Sequence, residues 1–442
     1  MKKKILSTLF LLPCTWSLMA LDAGLETALK EKDEDKVIAV FKERDLAEED
    51  IDKITEFFND KKAKYRKRYL YALRDKTSLN PAAGKHVHRE IMRLIKENLV
   101  EDDLDYTIAC LNAAGPNKNP DLIYAVAPFL VHPQAKLRVE ANKVIAVKKD
   151  ERIYPLIGQL LAGENTIDKI YAMETLLALK DERAVPLLLL QISNSNKNVR
   201  YFALKTLDAI GSDKAQHGLI HAAEGDADEE VRLKGVEVLR NFRTGPVTSS
   251  LQKLISDKNL AVRSLALESA LFQKNKTYAN AISEQLAHET EHAQKHALLR
   301  GLFTLGSGGG MNGVLTLLKR ETDQELLLWA AYACNRFNES KCAEPLAAVI
   351  LNPQSEAIMI ESLSALGTFR QKKHLPALFS VLQNEKQTTL IRSAALAAIQ
   401  QYDSEATIPP LFELYTREKE QATRVQIRVL IADLMRRKLP KI

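Results

Sequence analysis

The chain has 442 residues, of which 46% are hydrophobic and 27% charged, with 17 glycines and 15 prolines. That balance excludes a disordered, collagen-like or low-complexity chain, and leaves two or three ordinary domains or one array whose core grows along its length. A formal charge of +6 is too small to point to nucleic acid or an anionic membrane as the main partner.

Residues 1–20 read as a secretory signal. Lys2, Lys3 and Lys4 form a basic start, Ile5 to Leu12 an apolar stretch, and Leu18-Met19-Ala20 a cleavage site. Cys14 leaves a second reading open, a lipoprotein cut before that cysteine and held by lipid. Either way the chain is expected to be exported, periplasmic or secreted. No later run of 18 apolar residues occurs, so no transmembrane span is expected after cleavage. Without the three lysines the rest of the chain carries 60 basic and 57 acidic residues, a charge of +3.

Residues 21–99 are helical by pattern but out of register with the remainder of the chain. Val37, Ile38, Val40 and Phe41 mark one amphipathic helix, Ile51, Ile54, Phe57 and Phe58 another, and Tyr69 to Leu73 a third. The segment is expected to be a helical cap or a set of divergent repeats. It contains the run Lys61, Lys62, Lys64, Tyr65, Arg66, Lys67, Arg68, Tyr69, whose mixture of bases and rings would suggest nucleic acid in a cytosolic protein. In an exported chain it reads as a solvated helix face, with an acidic partner or lipid head groups as the alternative.

Residues 100–442 repeat. Leu137-Arg138-Val139-Glu140-Ala141, Val199-Arg200-Tyr201-Phe202-Ala203, Val231-Arg232-Leu233-Lys234-Gly235, Val262-Arg263-Ser264-Leu265-Ala266 and Ile391-Arg392-Ser393-Ala394-Ala395 share an aliphatic residue, an arginine, two variable residues and a small residue. The small position runs through Ala172, Ala297, Ala330 and Ser362 to Ile427, covering 286 residues from Ala141 in nine steps, or about 31.8 per step. Pro155, Pro186, Pro345, Pro376 and Pro409 mark the start of the other helix, where a missing N–H costs nothing. Apolar residues at helical spacing, as in Val199, Phe202, Ala203, Leu207 and Ile210, make every unit a two-helix hairpin that must stack on its neighbours.

This pattern resembles the HEAT-like repeats, particularly the short bacterial type named after phycobilisome lyases. The proline near the first helix, the Val-Arg-x-x-Ala start of the second, and an acid six residues before the arginine (Asp226 before Arg232, Asp257 before Arg263) carry the resemblance. The Trp-Leu-Gly-Tyr set of tetratricopeptide repeats is not found. The resemblance implies an all-α fold, a right-handed superhelical α-solenoid of about ten to twelve repeats of about 32 residues, with second helices lining a concave face.

Five features draw attention as sites. The recurring arginines are expected to form an internal ladder, each pairing with a turn carboxylate or carbonyl of its own or the next unit. His288-Glu289-Thr290-Glu291-His292, followed by His296, matches the letters of a zinc-protease motif, but the repeat register places it across the corner between two helices, so no metal is expected there. Gly306-Ser307-Gly308-Gly309-Gly310 lacks the ending of a phosphate loop and reads as a flexible connection. The second helices from Glu325 and Glu356 are apolar nearly all round. Leu328, Tyr332 and Ile360 are therefore expected to line an exposed groove, with Tyr201, Lys205, Glu237 and Arg240 offered by earlier units, and simple burial is the competing reading. Cys334 and Cys342, eight residues apart across a turn, are either a disulfide or two buried thiols, and Cys110 has no evident partner.

The expected function is a non-catalytic scaffold that holds a protein or peptide on the concave face, with no cofactor. The alternatives are a metal-dependent or lyase-type enzyme on the same scaffold, or a structural envelope component.

Overall fold

Each hairpin has an apolar face that it cannot cover alone, and the chain answers by stacking hairpins. The computed structural model describes residues 24–44, 46–75, 81–96, 103–117, 119–352 and 354–438, and among them every regular element is helical. The readings of residues 1–20, Cys14 included, lie outside the described residues. The chain divides into two compact units, Met1–Ala215 and Gln216–Ile442. Among the described residues, eleven hairpins succeed one another from Pro81 to Lys438, four in the first unit and seven in the second.

The local signals are the same in unit after unit. Second helices open on a side chain that accepts the free N–H groups of the first turn: Asn165, Asn196, Asp228, Asn259, Asp323 and Thr388 each do so. Many of them end on a left-handed residue, which is Gly211 or Gly306 in two cases but Lys149, Lys180, Lys274 or Arg370 in others. First helices carry Pro186, Pro246, Pro376 and Pro409 in their opening turn.

Second helices stack on second helices. In the first unit the line runs from Ala63–Arg74 through Leu104–Ala114, Ala135–Lys148 and Thr166–Leu179 to Lys197–Ile210, and Glu34–Glu43 packs on its beginning. The out-of-register segment is thus built into the same stack. In the second unit the line runs from Glu229–Leu239 through Leu260–Gln273, His292–Leu305, Gln324–Arg336, Glu356–Phe369 and Thr389–Gln401 to Gln421–Lys438.

The small position of the repeat is buried in most units, and at Gly235 it lies where a second helix meets the first helix of its own hairpin. Ala141, Ala172, Ala203, Ala266, Ala330, Ser362 and Ala395 are all fully buried. At Gly235 the approach is close, since a Cβ there would stand 2.8 Å from the Ala223 nitrogen of the preceding helix.

Candidate functional site

The arginines at the head of the second helices are turned inward to the repeat corners. Arg138, Arg200, Arg232 and Arg263 each donate Nη1 to the carbonyl six residues earlier, at 2.8 to 3.0 Å. The same nitrogens reach the next carbonyl as well. The acid that precedes Arg232 and Arg263 supplies this carbonyl, while its carboxylate accepts the N–H of the residue two further on. Arg392 varies the theme, donating Nε to the Leu382 carbonyl at 2.9 Å. Carboxylates of the following repeat complete the bonding: Glu174 for Arg138, Glu289 for Arg263, and Glu418 with Glu420 for Arg392. These arginines serve the ladder at the repeat corners.

The same ladder consumes the centre of the zinc-protease-like sequence. His288 is the last residue of helix Ala279–His288 and His292 the first of His292–Leu305, so a corner separates the two histidines. Glu289 is buried at that corner. It accepts from Arg263 on both oxygens, from Gln285 at 2.9 Å, and from the backbone N–H groups of Thr290 and Glu291. Burial pushes its carboxyl upward, but the Gln285 bond, the turn N–H groups and the Arg263 charge outweigh it and hold the value below that of an ordinary glutamate. A carboxylate so occupied cannot activate water for a metal.

The glycine loop departs from the flexible connection that its composition suggests. Gly308 is buried, and Gly309 takes a φ of +57° with its Cα against the carbonyl of Ala279, where any side chain would strike backbone. Gly313 lies equally close to Ser283 of the same neighbouring helix. These glycines let two first helices approach one another.

The basic run is drawn into the stack. Lys61 pairs with Glu34 at 3.1 Å and lies over the Phe57 ring, Lys67 reaches Asp105 at 3.1 Å, and Arg68 binds Asp35. Arg66 is buried 3.6 Å from Glu90, and Tyr69 is a core ring stacked on Phe58 and bonded to Thr55 at 3.1 Å. Most of the run therefore joins helix Ala63–Arg74 to its neighbours rather than forming a solvated face.

Rings gather on the outward side of the second helices. Phe303, Trp329, Tyr332 and Phe337 touch one another with centroids 5.4 to 6.1 Å apart. Trp329 and Tyr332 remain 37% and 41% exposed. Of the residues expected in the groove, Tyr332 is exposed and Leu328, one turn away, is half-buried, as is Ile360 on the next second helix. Tyr201 and Lys205 are exposed in the first unit, where Lys205 lies over the Phe202 ring. In the second unit Glu237 is exposed with Lys234 3.0 Å away, and the Arg240 guanidinium sits over Phe272. Sequence reasoning passed over Phe303, Trp329 and Phe337, which come together only when two hairpins stack. The available signal was Trp329, a large ring in a helix already apolar on its other sides.

Cys334 and Cys342 are joined in a disulfide, with Cα atoms 6.0 Å apart. It ties the end of helix Gln324–Arg336 to the short turn Ser340–Cys342 that opens the next hairpin. Cys110 is a buried free thiol, pushed up in pKa by that burial. No helix among the described residues is long and apolar enough to cross a membrane.

Stacked two-helix hairpins joined by arginine-bridged corners define an α-solenoid of the helical-repeat class. Residues 153–240 and 343–431 match the family model for HEAT repeats. Among solved structures it is similar to the complex of CpcE and CpcF of phycocyanin lyase from Nostoc sp. PCC7120, with 17% identity over 57% of this chain and 94% of that one and a TM-score of 0.27. It is similar to Escherichia coli YibA at 18% identity, covering 64% of this chain and 97% of that one, with a TM-score of 0.31. Kap121p bound to Pho4p is 12% identical over 90% of this chain and 48% of its own length, with a TM-score of 0.41. No curated protein sequence matches.

Proposed function

We propose that the chain is a non-catalytic, exported scaffold that holds a protein or peptide along the outward side of its second helices, the side expected to be concave. The observation that carries this is the ring cluster of Phe303, Trp329, Tyr332 and Phe337, two members of which face solvent. Tryptophan and tyrosine dominate the energetics of protein interfaces because a large apolar body comes with little conformational freedom to lose. Leu328, one turn from Tyr332, and Ile360 on the next second helix are both half-buried apolar residues. The arginines and glutamates that could have served chemistry are occupied in the ladder. Export is supported by the basic and apolar start of the sequence and by a disulfide that suits an oxidising compartment.

The test compares three full-length proteins, the wild type, a Trp329→Asp, Tyr332→Asp double variant, and a Phe412→Asp control on an exposed first-helix position. Each is purified from its native envelope fraction under mild cross-linking. One stoichiometric partner should accompany the wild type and the control and be absent from the double variant. Retention of the partner by the double variant contradicts the proposal.

A further inference from the structure

The zinc-protease-like letters fail as a motif, yet stacking assembles a different ligand set beside them. His292 and His296 stand one turn apart at the start of helix His292–Leu305, with ring centroids 4.7 Å apart. Asp323 caps helix Gln324–Arg336, which stacks directly against that helix. His292 Nε2 lies 3.2 Å from Asp323 Oδ2, and one ligand atom from each of His292, His296 and Asp323 falls within 4.8 Å of the others. Glu325 offers a fourth group, with Oε1 4.0 Å from His296 Nδ1.

We propose that His292, His296 and Asp323 bind one divalent cation of the zinc class, bridging two consecutive hairpins of the second unit, with Glu325 or water completing the coordination. Two imidazoles and a carboxylate are a borderline donor set, suited to zinc rather than to calcium or magnesium. A tetrahedral site with bonds of 2.0–2.1 Å needs ligand atoms about 3.3 Å apart, and the His292–Asp323 pair already stands at 3.2 Å. His296 has only to swing its part-exposed ring by up to about 1.5 Å to meet the same spacing. Asp323 is oriented for the task, because its Oδ1 accepts from the Leu326 N–H at 2.9 Å and leaves Oδ2 toward the histidines. The neighbouring cation, Lys295, is held by Glu321 at 2.7 Å.

The proposal is independent of partner binding and is tested on the full chain, stripped with chelator and titrated with zinc(II) by calorimetry and with cobalt(II) by visible absorption. The wild type should take up one ion per chain, with a cobalt spectrum of nitrogen and oxygen ligation. His292→Ala and His296→Ala should each lose affinity by about tenfold or more. Asp323→Asn, which keeps the helix cap but removes the anionic ligand, should do the same, while His288→Ala should match the wild type. Thermal melts of the metal-free variants show that they remain folded. Failure of the wild type to bind zinc or cobalt stoichiometrically overturns the proposal, as does wild-type affinity in both His292→Ala and His296→Ala.

Discussion

Arg263 meets Glu289 fork to fork across 26 residues of sequence, its Nε and Nη2 each donating at 3.1 Å to a different carboxylate oxygen. The same spacing recurs in Lys295 with Glu321 and in Arg392 with Glu418. Each pair joins the head of one second helix to the corner of the next hairpin. The pairs thus hold consecutive repeats in register through charge-assisted hydrogen bonds.

Glu289→Ala leaves Arg263 charged and nearly buried without its partner, and should lower the stability of the full chain by about 3–5 kcal/mol. His288→Ala, one residue away, should stay within about 0.5 kcal/mol of wild type. Urea unfolding followed by circular dichroism separates the two. The lowered pKa of Glu289 also sets a pH signature: its contribution is complete above the unfolded value of 4.5 and is lost as pH falls through the lower folded value. Glu289→Gln should flatten the acid limb of the stability curve below that point.

His86 gives the first unit a different acid response. It is fully buried, neither ring nitrogen has a hydrogen-bond partner, and burial followed by the Arg89 charge lowers its pKa to about 3. Below pH 6.5 the unfolded chain takes up a proton that the folded chain refuses, so stability falls between about pH 6.5 and 3, by up to about 1.4 kcal/mol per pH unit. His86→Leu should remove this slope, as measured by urea midpoints from pH 7 to pH 4.

Gly235→Ala tests the close approach between the two helices of its hairpin. In an ordinary exposed helix this change stabilises by about 1 kcal/mol. Here the new methyl group would meet the Ala223 backbone at 2.8 to 2.9 Å, and the outcome should be destabilisation of about 1–3 kcal/mol. A raised melting temperature would show that the hairpin has room to spread.

Opening the Cys334–Cys342 bond frees a short loop in the unfolded chain. Reduction, or Cys334→Ser with Cys342→Ser, should therefore cost about 2–3 kcal/mol. Melting curves with and without reductant measure this, with the double variant as the insensitive control.

The 32-residue period, the proline and arginine markers and the inward role of the arginines were legible in the sequence because they are properties of each repeat taken alone, displayed many times over in one chain. The corner at His288–His292 was legible for the same reason, since register alone assigned it. What stayed hidden depends on which residues meet when hairpins stack. Phe303 meets Trp329 across two helices, and Asp323 meets His292 across the same seam. The glycine loop misled because glycines serve equally for freedom and for close approach, and only the neighbouring Ala279 carbonyl decides between them. The basic run misled because its partners, Glu34, Asp35 and Asp105, lie on other helices.

On the proposed function, the exposed side of the second helices around Tyr332 is the surface that binds a partner. A photo-cross-linking amino acid placed at position 332 of the full-length protein in its native envelope, with the same group at position 412 as the comparison, tests this most directly. A single protein or peptide adduct that forms at position 332, is absent at 412 and disappears when Trp329→Asp is added is the predicted result. Adducts at position 412 with none at 332 would contradict it.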